Sequence, residues 1–113
     1  MKPALKYALV SILHEAGEKG IWEYEMYELL REKYEKSSIC SMREELVGFS
    51  NIGWLSVLAI REMDGHLLRK YRLQKRHHDF IRYQLQVEEI LRELGITKQQ
   101  ILHYHESAAT SAV

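Results

Sequence analysis

Three groups of residues in this 113-residue chain carry side chains whose types and spacing suit chemistry. The first is cationic: Arg69, Lys70, Arg72, Lys75, Arg76 and Arg82 crowd one stretch, and gathered guanidinium and ammonium groups suit phosphate. The second is Ser41, Arg43, Glu44, Val47 and Ser50, which share an outward face if their segment is helical. There Arg43 offers a planar fork for a guanine edge or a phosphate, whereas Glu44 and Glu45 repel a phosphate backbone. The third is histidine, as His77-His78 and His103-x-His105. A helical metal site wants i, i+4 spacing and further Cys or carboxylate ligands, so neither pair is read as a metal site. Cys40 near a helix start has the setting of a redox-sensing thiolate; its simpler reading is an inert thiol. No glycine-rich phosphate loop, nucleophile elbow or catalytic carboxylate pair is present, so neither an enzyme nor a cofactor is expected.

Composition bounds these readings. A chain of this length forms one domain able to remove about 60–70% of its unfolded surface from water. Its 46% apolar and 28% charged residues are those of an ordinary globular protein. No apolar run approaches the ~20 residues of a membrane span, and no signal-peptide core opens the chain. With a single cysteine no internal disulfide can form, which makes a reducing cytoplasm the expected setting. Sixteen Lys/Arg balance sixteen Asp/Glu, which argues against a strongly electrostatic nucleic-acid binder. The charge is nonetheless uneven: residues 1–66 hold 8 basic against 11 acidic residues, and residues 67–113 hold 8 against 5.

The elements that must position these groups follow from periodicity. Leu5, Ala8, Leu9, Ile12, Leu13 and Ala16 predict an amphipathic helix over 3–16, with Pro3 in its first turn and Gly17 and Gly20 closing it. Gly20-Ile21-Trp22 is a candidate short edge strand. Trp22, Met26, Leu29 and Leu30 predict a second helix to about Lys36, broken by Ser37-Ser38. Ser41 and Glu44 fit a capping box opening a third helix over 41–51, with Met42, Leu46 and Phe49 inward.

Trp54–Ile60 then reads as a strand leading to Asp64-Gly65, a strong two-residue hairpin signal. That turn pairs Glu62 with Leu67, Ile60 with Arg69, Leu58 with Tyr71 and Ser56 with Leu73. Leu58, Ile60, Leu67, Tyr71 and Leu73 are then expected on a core face, and Arg61, His66, Lys70 and Arg72 on a basic outward face. From Asp79, a single helix to Leu94 is expected, with Phe80, Tyr83, Val87, Ile90 and Leu94 on a heptad-like seam and Gly95 as its stop. Ile81, Leu85 and Leu91 widen its apolar stripe. Thr97 and Gln100 form a second capping box, Ile96 and Ile101 a hydrophobic staple, and a last helix runs to about His105. Residues 107–113 are weakly patterned and expected to be disordered.

Helix, helix, helix, strand, turn, strand and long helix is the layout of a winged helix-turn-helix. The chain resembles the winged-helix transcriptional regulators, and among them the PadR-like group. The likeness is carried by Trp22-Glu23-Tyr24-Glu25-Met26 with Leu29-Leu30, by the run from Leu46 through Phe49 and Gly53 to Trp54-Leu55, and by Lys70-Tyr71-Arg72-Leu73. It departs at Cys40-Ser41-Met42-Arg43 and at Lys75-Arg76-His77-His78, where the family has other residues. The small replication-terminator proteins have a similar layout.

The expected fold is therefore α+β and mostly α: a winged helix-turn-helix over 1–76 with a two- or three-stranded wing sheet, a helical dimerisation segment over 77–106, and a tail over 107–113. The expected function is that of a cytoplasmic, sequence-specific regulator of transcription that binds double-stranded DNA as a homodimer. The resemblance implies a recognition helix of each copy in successive major grooves. Ser41, Arg43, Glu44 and Val47 would face the groove, with Arg61, His66, Lys70 and Arg72 on the wing, and Phe80, Tyr83, Val87, Ile90 and Leu94 would join the copies. The alternative is a winged-helix protein-interaction module that does not bind DNA. For Trp22, Tyr24, Tyr27 and Tyr34, core and interface packing is the default account; a pocket for an unidentified small effector at the dimer seam is the other.

Overall fold

The computed structural model of the chain describes residues 2–102. The expected helix to about His105, the His103-x-His105 pair and the 107–113 tail extend beyond them. The fold is α+β and mostly helical, with one three-stranded antiparallel sheet in the order β1-β3-β2. In chain order the elements are α1 (Leu5–Ala16), β1 (Ile21–Trp22), α2 (Glu23–Leu30), α3 (Lys36–Ile39), α4 (Met42–Asn51), β2 (Leu55–Met63), β3 (His66–Leu73), α5 (His78–Gln84) and α6 (Val87–Leu94). The chain is helical again over 98–102.

One buried cluster runs from Leu5 to Ile101. Its centre is α1, whose Ala8, Leu9, Val10, Ile12 and Leu13 are at most 1% exposed. So apolar a helix must be covered on more than one side; β3, α4, α5 and α6 all pack against it. Gly20 lets β1 approach β3: its φ is +68°, and a Cβ there would collide with the Tyr71 carbonyl and the Leu58 side chain.

Several expectations are corrected. Helix α2 stops at Leu30, and Tyr34 beyond it reaches the core and the Pro3 carbonyl from outside the helix. The Ser37-Ser38 break is itself helical, as α3. Ser41 does not cap α4: its backbone (φ −91°, ψ 5°) is not extended, and its hydroxyl donates to the Ser38 carbonyl at 2.8 Å instead. The Thr97 box does form. Gln100 N–H donates to Thr97 Oγ1 at 3.2 Å, and Thr97 N–H to Gln100 Oε1 at 2.8 Å.

The hairpin turns at Asp64-Gly65, both with positive φ (52° and 80°), the geometry a two-residue type I′ turn requires. Glu62 pairs with Leu67 and Ile60 with Arg69 as expected. A β-bulge at Leu58 then shifts the register, so Val57 rather than Leu58 meets Tyr71, and Leu55 rather than Ser56 meets Leu73. The expected core face is core only at its base. Tyr71 and Leu73 are buried, but Leu58, Ile60 and Leu67 are 40%, 59% and 46% exposed, because the ribbon runs out past the helices.

The expected single helix from Asp79 to Leu94 is two. Leu85 is extended (φ −118°, ψ 139°), and Gln86 stands at the N-cap position of α6 without a side-chain capping bond. Six residues of continuous helix would set Ile81 and Val87 about 120° apart around the axis, so the break lets both reach the core. Val87 and Leu94 of the expected dimer seam are thereby buried within the chain. Ile90 is half-buried, and Phe80 and Tyr83 are exposed. Gly95 ends α6 in the left-handed region as expected, with Ile96 N–H donating to the Leu91 carbonyl at 2.9 Å.

Candidate functional site

The candidate site is the surface shared by the start of α4 and the β2–β3 ribbon. Direct pairing sets Arg61 beside Leu68, Ala59 beside Lys70, Ser56 beside Arg72 and Met63 beside His66. Residues in a direct pair share a face, so Arg61, His66, Lys70 and Arg72 lie on one side of the ribbon. Lys70 is also paired with Trp22 of β1. Arg61 reaches across to place its Cζ 5.2 Å from the centre of the Trp22 ring, whose other ring neighbour is Tyr24. Arg61 and His66 are exposed, Lys70 and Arg72 half-buried.

The opposite side of the ribbon holds a contact that the sequence does not announce. Arg43, in the first turn of α4, donates from Nε to Glu23 Oε2 at 2.9 Å and from Nη2 to the Leu67 carbonyl at 3.3 Å. The first bond joins α4 to α2, the second joins it to the ribbon near its tip. The Glu23 side chain is 10% exposed and Arg43's 52%, so the anion is fixed while the guanidinium keeps an open edge. Glu23 Oε1 is buried without a hydrogen-bond partner. Burial raises the Tyr71 phenol pKa and Glu23 raises it further, against the opposing pull of Arg69 and Arg43. Twenty residues separate Glu23 from Arg43, and no local pattern pairs them.

Of the other expected α4 residues, Ser41 is half-buried with its hydroxyl spent on Ser38, while Glu44 and Val47 are exposed. The outward face of α4 thus carries one cation, already paired, beside Glu44. Cys40 is exposed. Of the aromatic set expected on the second helix, Tyr34 lies beyond α2, tied by its hydroxyl to the Pro3 carbonyl at 2.7 Å, and Trp22 lies in β1, buried. An apolar groove of about 390 Å³ lies elsewhere, walled by Tyr7, Val10, Phe49, Trp54, Phe80 and Leu85. Trp54 is stacked there between Phe49 and His77.

His78, the other half of the expected pair, faces α1 instead, its ring 5.0 Å from that of His14. Burial and the His78 charge lower the His14 pKa. Among the described residues no group of three or more His, Cys, Asp or Glu is placed to hold a metal ion. No helix among them is long and apolar enough to cross a membrane. No family model, no curated protein and no solved structure matches this chain.

Proposed function

We propose that this chain is a winged-helix, sequence-specific DNA-binding regulator of transcription that works as a homodimer in the cytoplasm. One observation carries the reading: the ribbon's tip is bonded to the first turn of α4 through Arg43 and the Leu67 carbonyl. The ribbon is therefore held against a helix that follows α2 and α3, with its basic residues on the side away from Arg43; on DNA the helix would take a major groove and the long basic side chains would reach the neighbouring phosphates. In this reading α4 enters the groove. Glu23 holds the Arg43 fork toward a base edge, and Arg61, His66, Lys70 and Arg72 meet the backbone. The PadR-like residue pattern agrees with this assignment.

Replacing Lys70 and Arg72 together by alanine tests it in a gel-shift titration across salt concentrations. Binding should weaken on every sequence, and the slope of log K against log salt should fall by about 2, since each neutralised phosphate contributes about 0.9. Unchanged affinity and slope would remove the ribbon from the mechanism.

A second reading, a protein-interaction module of the same fold, is favoured by the neutralised Arg43, the exposed Glu44 and the apolar residues exposed along the ribbon. It requires that no genomic fragment be retarded even at low salt.

A further inference from the structure

We infer that two copies of this chain join along β2, edge to edge, rather than through the α5–α6 seam. The inference builds on the homodimer of the proposed function and is independent of DNA. β2 is an outer strand of the sheet, nine residues long, and among the described residues it pairs with β3 alone. Val57, Leu58, Ile60 and Met63 on it are 43%, 40%, 59% and 52% exposed. Edge strands are ordinarily blunted by proline, charged residues, bulges or shortness, and β2 carries one bulge, at Leu58, leaving the run from Ala59 to Met63 regular. β2 has no proline and no lysine, and its only charges are Arg61 and Glu62. The opposite edge, β1, is two residues long. Meanwhile Val87 and Leu94 of the helical seam are consumed by the chain's own core.

Charge selects the partner's register. A twofold-symmetric antiparallel pair sets one residue opposite its own copy. Centred on Arg61 or Glu62, it would oppose like charges directly. Centred on Ile60, the most exposed apolar residue of the strand, it sets Ile60 against Ile60 and Arg61 against Ala59 of the other copy. The chain reversed on itself thus sets no like charges directly opposite, the two Arg61 side chains being diagonal neighbours. Such an axis is perpendicular to the sheet, so Arg61, Lys70 and Arg72 of both copies fall on the same side, forming one continuous basic face. Each copy contributes four part-exposed apolar side chains, far fewer than the ~20–30 residues a side of a standard interface, so the dimer is a reversible one.

Sedimentation velocity of the full chain over roughly 10–500 µM, a range that brackets a weak interface, tests this. The expected mass rises with concentration toward twice 13.4 kDa. Ile60→Lys and Met63→Lys, both at exposed sites, should each raise the dissociation constant at least ~10-fold, with an unchanged circular-dichroism spectrum. Tyr83→Lys on α5 should leave it unaltered. A dimer lost with Tyr83→Lys but kept with Ile60→Lys and Met63→Lys overturns the β2 interface and leaves the homodimer. A monomer at every concentration overturns both.

Discussion

Glu25 lies in α2 beside the sheet with its side chain almost wholly removed from water. Burial lifts its pKa above the usual 4.5, while the Trp22 N–H and the Lys70 charge pull it back. The unfolded chain ionises this carboxyl at the ordinary value. Between the two values unfolding releases a proton, so stability falls as pH rises through that window. Glu25→Gln keeps an oxygen for the Trp22 N–H and abolishes the titration. Urea midpoints across pH should show the wild type losing ground to the variant from about pH 4.5 upward; parallel curves would mean that the carboxylate carries no desolvation cost. Residue-scale placement was the least legible in the sequence. Glu25 was visible only within the Trp22–Met26 segment that carries the family resemblance, and nothing marked it as buried. Arg43 read as free to reach a base, because its tie to Glu23 depends on how α2 and α4 are juxtaposed, which no local spacing encodes.

Elements were legible where local chemistry fixes them. Asp64-Gly65 specified its turn because few residue pairs accept two positive φ angles in succession. Thr97 and Gln100 specified a cap because Thr97 needs no other partner. Ser41 carries the same pattern and fails, since the carbonyl of Ser38 in the preceding short helix offers its hydroxyl a competing acceptor. The two sites should therefore respond differently to the same substitution. Thr97→Ala removes a formed cap and is expected to cost about 1 kcal/mol in chemical denaturation; Ser41→Ala, with no cap to lose, is expected to cost distinctly less. Equal losses would mean that the Thr97 box contributes nothing as a cap. The bulge at Leu58 and the break at Leu85-Gln86 were illegible for a shared reason. Each is forced by packing, the first where Leu58 lies over Gly20, the second where Ile81 and Val87 must both turn inward. The bulged strand and the broken helix keep periodicities that look regular in isolation.

At the scale of the whole molecule, the expected division of the chain at residue 76 does not follow the packing. The sequence shows a three-helix-and-hairpin unit followed by an apolar helical segment, and the surplus of apolar residues in that segment reads as a surface for another copy. In the fold much of that surplus is spent at home: Ile81, Val87, Leu91, Leu94, Ile96 and Ile101 belong to the same buried cluster as Leu5 and Leu9, and α6 packs along α1. The consequence is testable by ending the chain after Arg76. Six apolar side chains at about 1.5–3 kcal/mol each represent roughly 9–18 kcal/mol of burial. Even after discounting the entropy of ordering that segment, this is comparable to the ~5–15 kcal/mol net stability of a whole domain. The truncated chain should therefore expose one side of α1 and lose its cooperative thermal transition, with weak near-ultraviolet circular dichroism from Trp22 and Trp54. A sharp unfolding transition in the 1–76 fragment would instead make α5 and α6 an appendage, and would return their apolar faces to the role of a surface awaiting a partner.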